Sequence, residues 1–283
     1  MYKRVAILVA MCLWLSGASS VPNNTARVLA DEMMHSMDRI ITLSGRMKRS
    51  ERMADGMSNG ECRFKLNVKP RKIYFYNLAP EEGAEILYRD GWNGNKAYVH
   101  PNKFPWVNVS LGVYSDNFQS RQHHSFLEMG FGFMNGILHH LIAEYGANFD
   151  TYVKYVGKKP WYGKQVDVLE FKHPDYGFVD YTIKAGEDLV QIQDRLKVPA
   201  YKILEINPGI EDKFDVTAGQ VIRIPNRYAK EMVVMIDPDL HLPIVQLIFD
   251  EKGLFEKYEF HDLKVNPVFN TMEFSEDNEE YGF

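Results

Sequence analysis

The sequence predicts an α+β protein: a broad antiparallel sheet with covering helices, interrupted by a small inserted βααβ unit. Apolar and polar residues alternate at period two through much of residues 45–113 and again beyond 150. Two stretches, near 25–41 and 116–146, switch to helical spacing, and residues 179–227 carry a pattern of their own with strand-like sequence on both sides. The 283 residues, 45% hydrophobic and 25% charged, suffice for one large core and a smaller second one. A net charge of −5 without a basic run argues against a nucleic-acid surface or a polybasic membrane patch.

The chain starts like an export signal. Lys3 and Arg4 precede the apolar run Val5 to Leu15, and Ser16-Gly17-Ala18-Ser19-Ser20 supplies the small residues of a cleavage site. That run is too short for a membrane-spanning helix, which needs about 20 residues. Residues 1–20 are therefore expected to be a leader, cut after Ala18 or Ser20. Cys12 leaves with it, and Met11 stands where a lipid-attachment site wants a small residue. Cys62 is then alone, so no intramolecular disulfide is expected, and Glu-Cys-Arg-Phe around it reads as strand.

Leu29, Met33, Met37 and Ile40 form a helical stripe, with Arg27, Asp31 and Asp38 elsewhere on the wheel. Strand-like segments follow: Phe64, Leu66 and Val68 up to Pro70, then Ile73 to Asn77. Glu85 to Arg89 and Lys96 to His100 flank the turn-rich Asp90-Gly91-Trp92-Asn93-Gly94-Asn95. Asp116 to Gly146 reads as helix in two pieces, parted by Gly130-Phe131-Gly132-Phe133, with Met134, Ile137, Leu138, Leu141, Ile142 and Tyr145 on one face. His140 and Glu144 have the i, i+4 spacing of metal ligands, but no motif fixes a third. With His139 they read as solvated polar-face residues, and no metal or cofactor is expected. Tyr152 to Val156, Lys164 to Phe171, Met232 to Ile236, Ile244 to Phe249 and Leu254 to Phe260 are further strands. The acidic stretch Glu273 to Glu280 reads as a frayed, solvated end.

Within 179–227, Val179, Tyr181 and Ile183 alternate as a strand. Asp188 caps a helix carrying Leu189, Ile192 and Leu196. Ile203, Leu204 and Ile206 mark a second helix ended by Asn207-Pro208-Gly209, and Val221 to Ile224 close as a strand. The series Tyr181-Thr-Ile183-Lys-Ala-Gly186-Glu187-Asp188-Leu189, Asn207-Pro208-Gly209 and Ala218-Gly219-Gln220-Val221-Ile222-Arg-Ile224-Pro225 resembles a LysM domain along the whole module. The resemblance implies binding of N-acetylglucosamine glycans such as peptidoglycan in a groove between two loops. Carried over, that groove falls on Gly186, Glu187, Asp188 and Leu189, with Pro208, Gly209 and Ile210 opposite; Leu189 and Ile210 would supply apolar contact. Most members have Asp-Thr where this chain has Glu187-Asp188, and Tyr-Gly where it has Leu196-Lys197.

The flanks join into one discontinuous domain, giving 21–178 and 228–283 around the module at 179–227. Lys69-Pro-Arg-Lys-Ile-Tyr-Phe-Tyr76, Tyr88-Arg-Asp-Gly-Trp-Asn-Gly-Asn-Lys-Ala-Tyr-Val99 and Ile236-Asp-Pro-Asp-Leu-His-Leu-Pro243 continuing through Tyr258-Glu-Phe-His-Asp-Leu-Lys-Val-Asn-Pro267 resemble an uncharacterised bacterial family of the lipoprotein-carrier superfamily. That resemblance implies a curved open half-barrel plugged by helices, whose concave face takes acyl chains, with Phe64, Leu66, Tyr74, Tyr76, Tyr258 and Phe260 as candidates for that face. The expected function is a non-catalytic envelope protein of the periplasm or outer-membrane periphery of a Gram-negative bacterium. Its partners would be peptidoglycan or an N-acetylglucosamine oligomer and an acyl-chain lipid or lipoprotein, with no nucleic acid. An envelope sensor or scaffold binding a protein partner is the alternative. A cell-wall hydrolase is the third reading, although no Gly-x-Ser-x-Gly or His-Glu-x-x-His signature is present.

Overall fold

In a computed structural model, which describes residues 25–104 and 106–283, the helical stripe at the start becomes α1 (Thr25–Asp38). The expected leader lies outside the described residues. Ala26, Ala30, Met33 and Met37 of α1 are buried, matching the i, i+4 spacing of one helix face. The chain then runs out and back as β1 (Thr42–Met53) and β2 (Gly56–Asn67), in register from Thr42↔Asn67 to Met53↔Gly56. The meander continues through β3 (Lys72–Ala79), β4 (Glu85–Arg89), β5 (Ala97–His100) and β6 (Val109–Leu111).

The helical excursion is more broken than its composition suggests. Where one helix was expected before Gly130, there is α2 (Asp116–Gln119), an irregular stretch and a single 3-10 turn at Phe126–Glu128. The backbone there is spent on contacts with the sheet, as when Arg121 C=O accepts from Ser58 Oγ at 2.7 Å. Gly130, at φ +90°, brings the chain so close to the sheet that a Cβ would meet Leu66 at 2.7 Å. The second piece is continuous, α3 (Gly132–Tyr145), followed by α4 (Phe149–Tyr152). Next come β7 (Val153–Trp161) and β8 (Lys164–Lys172), joined through Tyr162-Gly163, both at positive φ.

After β8 the chain leaves the sheet to form β9 (Phe178–Thr182), α5 (Leu189–Leu196), α6 (Ala200–Ile206) and β10 (Val221–Pro225). The strands β9 and β10 pair only with each other, antiparallel, from Val221↔Thr182 to Pro225↔Phe178. The chain returns as β11 (Glu231–Ile236), β12 (Pro243–Asp250) and β13 (Gly253–Val265). Strand β11 pairs directly with β8, Glu231 opposite Lys172, so the βααβ unit stands where a hairpin turn would otherwise be. The stem is clamped by His173 N–H to Lys230 C=O and Asn226 N–H to Gly177 C=O, each 2.9 Å.

Among the described residues the large sheet runs β6-β5-β4-β3-β2-β1-β13-β12-β11-β8-β7, antiparallel throughout, curved and open at both edges. Its inner face packs Leu43, Phe64, Leu66, Ile73, Leu169 and Met232 against α1 and α3. Pleating sends alternate residues to the other side, where Tyr74, Tyr76, Leu87 and Tyr98 form a separate cluster. Tyr74 and Tyr76 therefore do not line the concave face, in contrast to the expectation for them; Ile73 and Phe75 hold the inward positions of β3.

The acidic end is not frayed. It folds back over that outer cluster: Tyr281 stacks on Tyr74 with ring centroids 3.7 Å apart, and Phe283 stacks on Tyr98 at 5.5 Å. Glu273 pairs with Lys65 and Glu276 with Arg89. Gly282 N–H donates to Glu85 at 2.9 Å, and a Cβ at Gly282 would meet His100 at 2.8 Å. The acidic composition suggested solvent; the two aromatic anchors and the basic partners on β2 and β4 decide otherwise.

Candidate functional site

Two places in the molecule are candidate sites. The first is the loop pair of the βααβ unit. Its core, formed by Ile183, Leu189, Ile192, Ile203, Ile210 and Ile222 among others, is closed. Asp188 caps α5 in a reciprocal box: its carboxylate accepts from Gln191 N–H at 2.8 Å, and Asp188 N–H donates to the Gln191 side chain at 3.1 Å. Glu187 is turned back on the unit, accepting from Tyr181 Oη (2.6 Å), Arg195 (2.6 Å) and Lys184 N–H (3.0 Å).

Of the seven residues expected to form a groove, Gly186, Pro208 and Gly209 are exposed, while Glu187 and Asp188 are half-buried. Leu189 and Ile210 belong to the core, 0% and 7% exposed. Their side chains cannot offer the apolar contact assigned to them, because the small core needs both. The structure does bring the two loops together: Leu189 N–H donates to Lys213 C=O at 2.9 Å. What these loops present outward is backbone and the rim around it.

The second place is a cavity of about 770 Å³ between the inner face of the sheet and the α2–α3 segment. Its walls are apolar, formed by Met47, Phe75, Ile86, Val99, Phe126 and Phe260 among others, and Tyr258 also reaches it. Phe64 and Leu66, expected beside them, sit in the filled part of the core. Cys62 lies on the wall with its thiol pushed up to about 12 by burial, so it stays protonated and behaves as an apolar surface.

One end of the cavity is polar, assembled from four separate stretches of the half-barrel chain. Glu256 on β13 accepts from His123 Nδ1 (2.8 Å), His124 Nε2 (3.1 Å) and Tyr228 Oη (2.9 Å). His124 Nδ1 also meets Glu128 at 2.5 Å. Glu51 accepts from Arg49 at 2.8 Å, from His123 N–H at 3.2 Å and from Tyr258 Oη. Burial works against a charge on His124, but Glu256 and Glu128 outweigh it and push its pKa up to about 10. Burial likewise opposes ionisation of Glu256, yet His124 and His123 hold it well below the usual carboxylate range. The inserted unit takes part: Gln193 donates to Glu128 at 2.9 Å and Lys213 Nζ to His123 C=O at 2.9 Å. Little in the local sequence marks these groups, since the contacts that join His123 and His124 to Glu51 and Glu256 span 72 to 133 positions of chain.

Among the described residues no group of three or more His, Cys, Asp or Glu is placed to hold a metal. His139 reaches Asp38 at 3.3 Å and Glu144 pairs with Arg227 at 2.6 Å, both at the surface. No helix in the described residues is long and apolar enough to cross a membrane.

Fold and sites thus define a class: a curved open half-barrel enclosing a cavity, with a small βααβ domain set into one of its hairpins. The chain belongs to the DUF1571 family, described as proteins of unknown function, whose profile matches residues 42–183. The LysM domain profile matches residues 181–225, so the inserted unit is a LysM domain. No curated protein matches the chain. Among solved structures it is similar to the Pseudomonas aeruginosa MucA/MucB complex (11% identity, TM-score 0.39, covering 88% of this chain and 60% of that one). It is also similar to a putative outer membrane lipoprotein-sorting protein domain from Vibrio parahaemolyticus (12%, 0.34, 89% and 97%) and to the Mycobacterium tuberculosis lipoprotein LppX (12%, 0.39, 86% and 98%). The chain spans 62% of the length of MucB alone.

Proposed function

We propose that this is a non-catalytic protein of the bacterial envelope that binds wall glycan through its LysM loops and holds an acyl-chain lipid in its half-barrel. The observation that carries the reading is the connected apolar cavity of about 770 Å³ in a chain that also contains a LysM domain. That volume lies in the range of small-ligand pockets. A scaffold or sensor that only displays its surface has no use for such a space, and leaving it empty forfeits packing contacts. Each methylene of a chain buried there contributes about 0.8 kcal/mol, and the polar end at His124 and Glu256 suits a headgroup. On the glycan side, the exposed backbone of Gly186, Pro208 and Gly209 supports recognition of acetamido groups by hydrogen bonds.

The cavity reading is tested by organic extraction and native mass spectrometry of the purified full chain, beside an Ile86→Trp variant that fills the wall. Recovery of a stoichiometric lipid from the parent and its loss from the filled variant is the expected result. A ligand-free parent that also takes up no added fatty acid would remove the lipid half. Retention on purified peptidoglycan sacculi, compared with a variant in which 186–189 are replaced, tests the other half.

A further inference from the structure

The LysM domain does not project freely from the half-barrel; it is docked on the rim, and the docking creates a second cleft. Tyr201 of α6 stacks on His123 with ring centroids 4.0 Å apart, and Lys213 reaches His123 C=O at 2.9 Å. These contacts hold the second LysM loop, 207–214, against the segment 114–122 and the β1–β2 turn. Between them lies a cleft of about 400 Å³, walled by Tyr114, Tyr201, Phe214, Arg121 and Asp212 among others.

Its lining combines aromatic faces with polar edges. Phe214 is 49% exposed and meets Tyr114 edge-on at 5.7 Å. Arg121 and Asp55, paired at 2.6 Å and both exposed, stand on the opposite lip. The cleft also continues the loop pair directly. Phe214 follows Lys213, whose carbonyl is bonded to Leu189 N–H of the first loop. Burial and the carboxylates of Glu128, Asp194 and Asp188 push the Tyr114 phenol up to about 12, so its hydroxyl stays protonated at the cleft wall. Tyr114, although it belongs to the half-barrel, thus lines the cleft and meets Phe214 of the LysM domain across it.

We infer that the cleft between the LysM domain and the half-barrel rim, with Phe214 and Tyr114 as its platform, is an additional subsite for a β-linked N-acetylhexosamine chain that extends from the LysM loops. Sugar rings present apolar C–H faces bordered by hydroxyls, and an aromatic wall with charged, hydrogen-bonding lips complements both. The consequence is selectivity for chain length: a short oligomer fills the loops only, while a longer one also reaches the platform. A LysM domain cut from its half-barrel would lack this extension.

The inference rests on the glycan reading above, and the test separates the two. Calorimetric titration of the full chain with N-acetylglucosamine oligomers from dimer to hexamer is expected to show affinity rising with length, the hexamer binding about three- to tenfold tighter through the aromatic platform. In Phe214→Ala and in Tyr114→Ala the ratio of hexamer to dimer affinity falls to about one. Because Tyr114→Ala can disturb the rim, the Phe214 ring resonances of the unsubstituted protein are followed as well; hexamer shifts them and dimer does not. A length dependence that both substitutions leave intact, or hexamer binding that leaves the Phe214 ring unmoved, overturns the subsite while leaving the LysM reading standing. Failure of every oligomer to bind overturns both.

Discussion

The LysM domain and the half-barrel solve opposite packing problems. The small domain closes a core built mostly of isoleucines so fully that Leu189 and Ile210 are consumed by it, leaving backbone and rim facing outward. The half-barrel has far more apolar surface yet leaves about 770 Å³ unfilled and sets ionised groups at the end of the void. A domain of about 45 residues has no stability to spare for a hole; a sheet of eleven strands does. The surfaces proposed for recognition follow that difference: exposed loops on one, concave walls on the other.

The contrast is breakable where the two regions meet. Lys202 of α6 is wholly buried and donates to Glu205 (2.7 Å), Asp250 (2.8 Å) and Glu251 (2.6 Å), joining the LysM domain to the β12–β13 turn. Removing a buried cation strands its carboxylates. Lys202→Ala is expected to cost about 3–5 kcal/mol in urea unfolding, with a second transition appearing as the two regions unfold separately. One transition at unchanged midpoint would mean that they are not coupled through this lysine.

The polar end of the cavity makes stability pH-dependent. His124 has a pKa raised from its ordinary 6.5 to about 10, so its contribution is complete below 6.5 and is lost as the pH rises through 10. Glu256 is depressed, so its contribution is present above its ordinary 4.5 and is lost as the pH falls toward its lowered value. Unfolding free energy is therefore expected to decline between pH 7 and pH 10, and His124→Gln should flatten that limb. An unchanged slope in the variant would place the titration elsewhere.

Smaller effects sharpen the picture of each region. Tyr281→Ala removes the ring stacked on Tyr74 and the hydroxyl that accepts from Lys65 at 2.9 Å. It should cost about 1–2 kcal/mol in thermal or urea unfolding. No loss would return the acidic end to solvent. In the LysM domain, Lys197 occupies the left-handed cap of α5 at φ +53°, a conformation that glycine adopts without strain. Lys197→Gly is expected to stabilise the chain by about 1 kcal/mol, measured in the same way.

The two regions also differ in how much of them the sequence discloses. LysM is legible because its determinants are local: an alternating strand, the Asp188–Gln191 box and the Asn207-Pro208-Gly209 stop all act within a few residues. The strands of the half-barrel are legible for the same reason, as period two and turn residues. Which face each strand buries is less so. Tyr74 and Phe75 are both aromatic neighbours, and only the presence of Tyr281 and Phe283 on the outer side tells them apart. The polar end is not legible in the sequence, because Glu51, His124, Tyr228 and Glu256 meet only once the sheet has closed β1 against β13 and the insertion has formed. The groove residues show the limit of resemblance: the positions carry over, but burial decides which of them face outward.

The central claim, that one chain holds a lipid while bound to wall glycan, is tested most directly by sedimenting sacculi with protein preloaded with a fluorescent fatty acid. Fluorescence in the pellet is expected with the parent protein. With the 186–189 loop variant it should stay in the supernatant with the protein, and with Ile86→Trp it should be absent although the protein still pellets. Fluorescence that pellets equally without protein, or a parent that releases its fatty acid on binding sacculi, would contradict it.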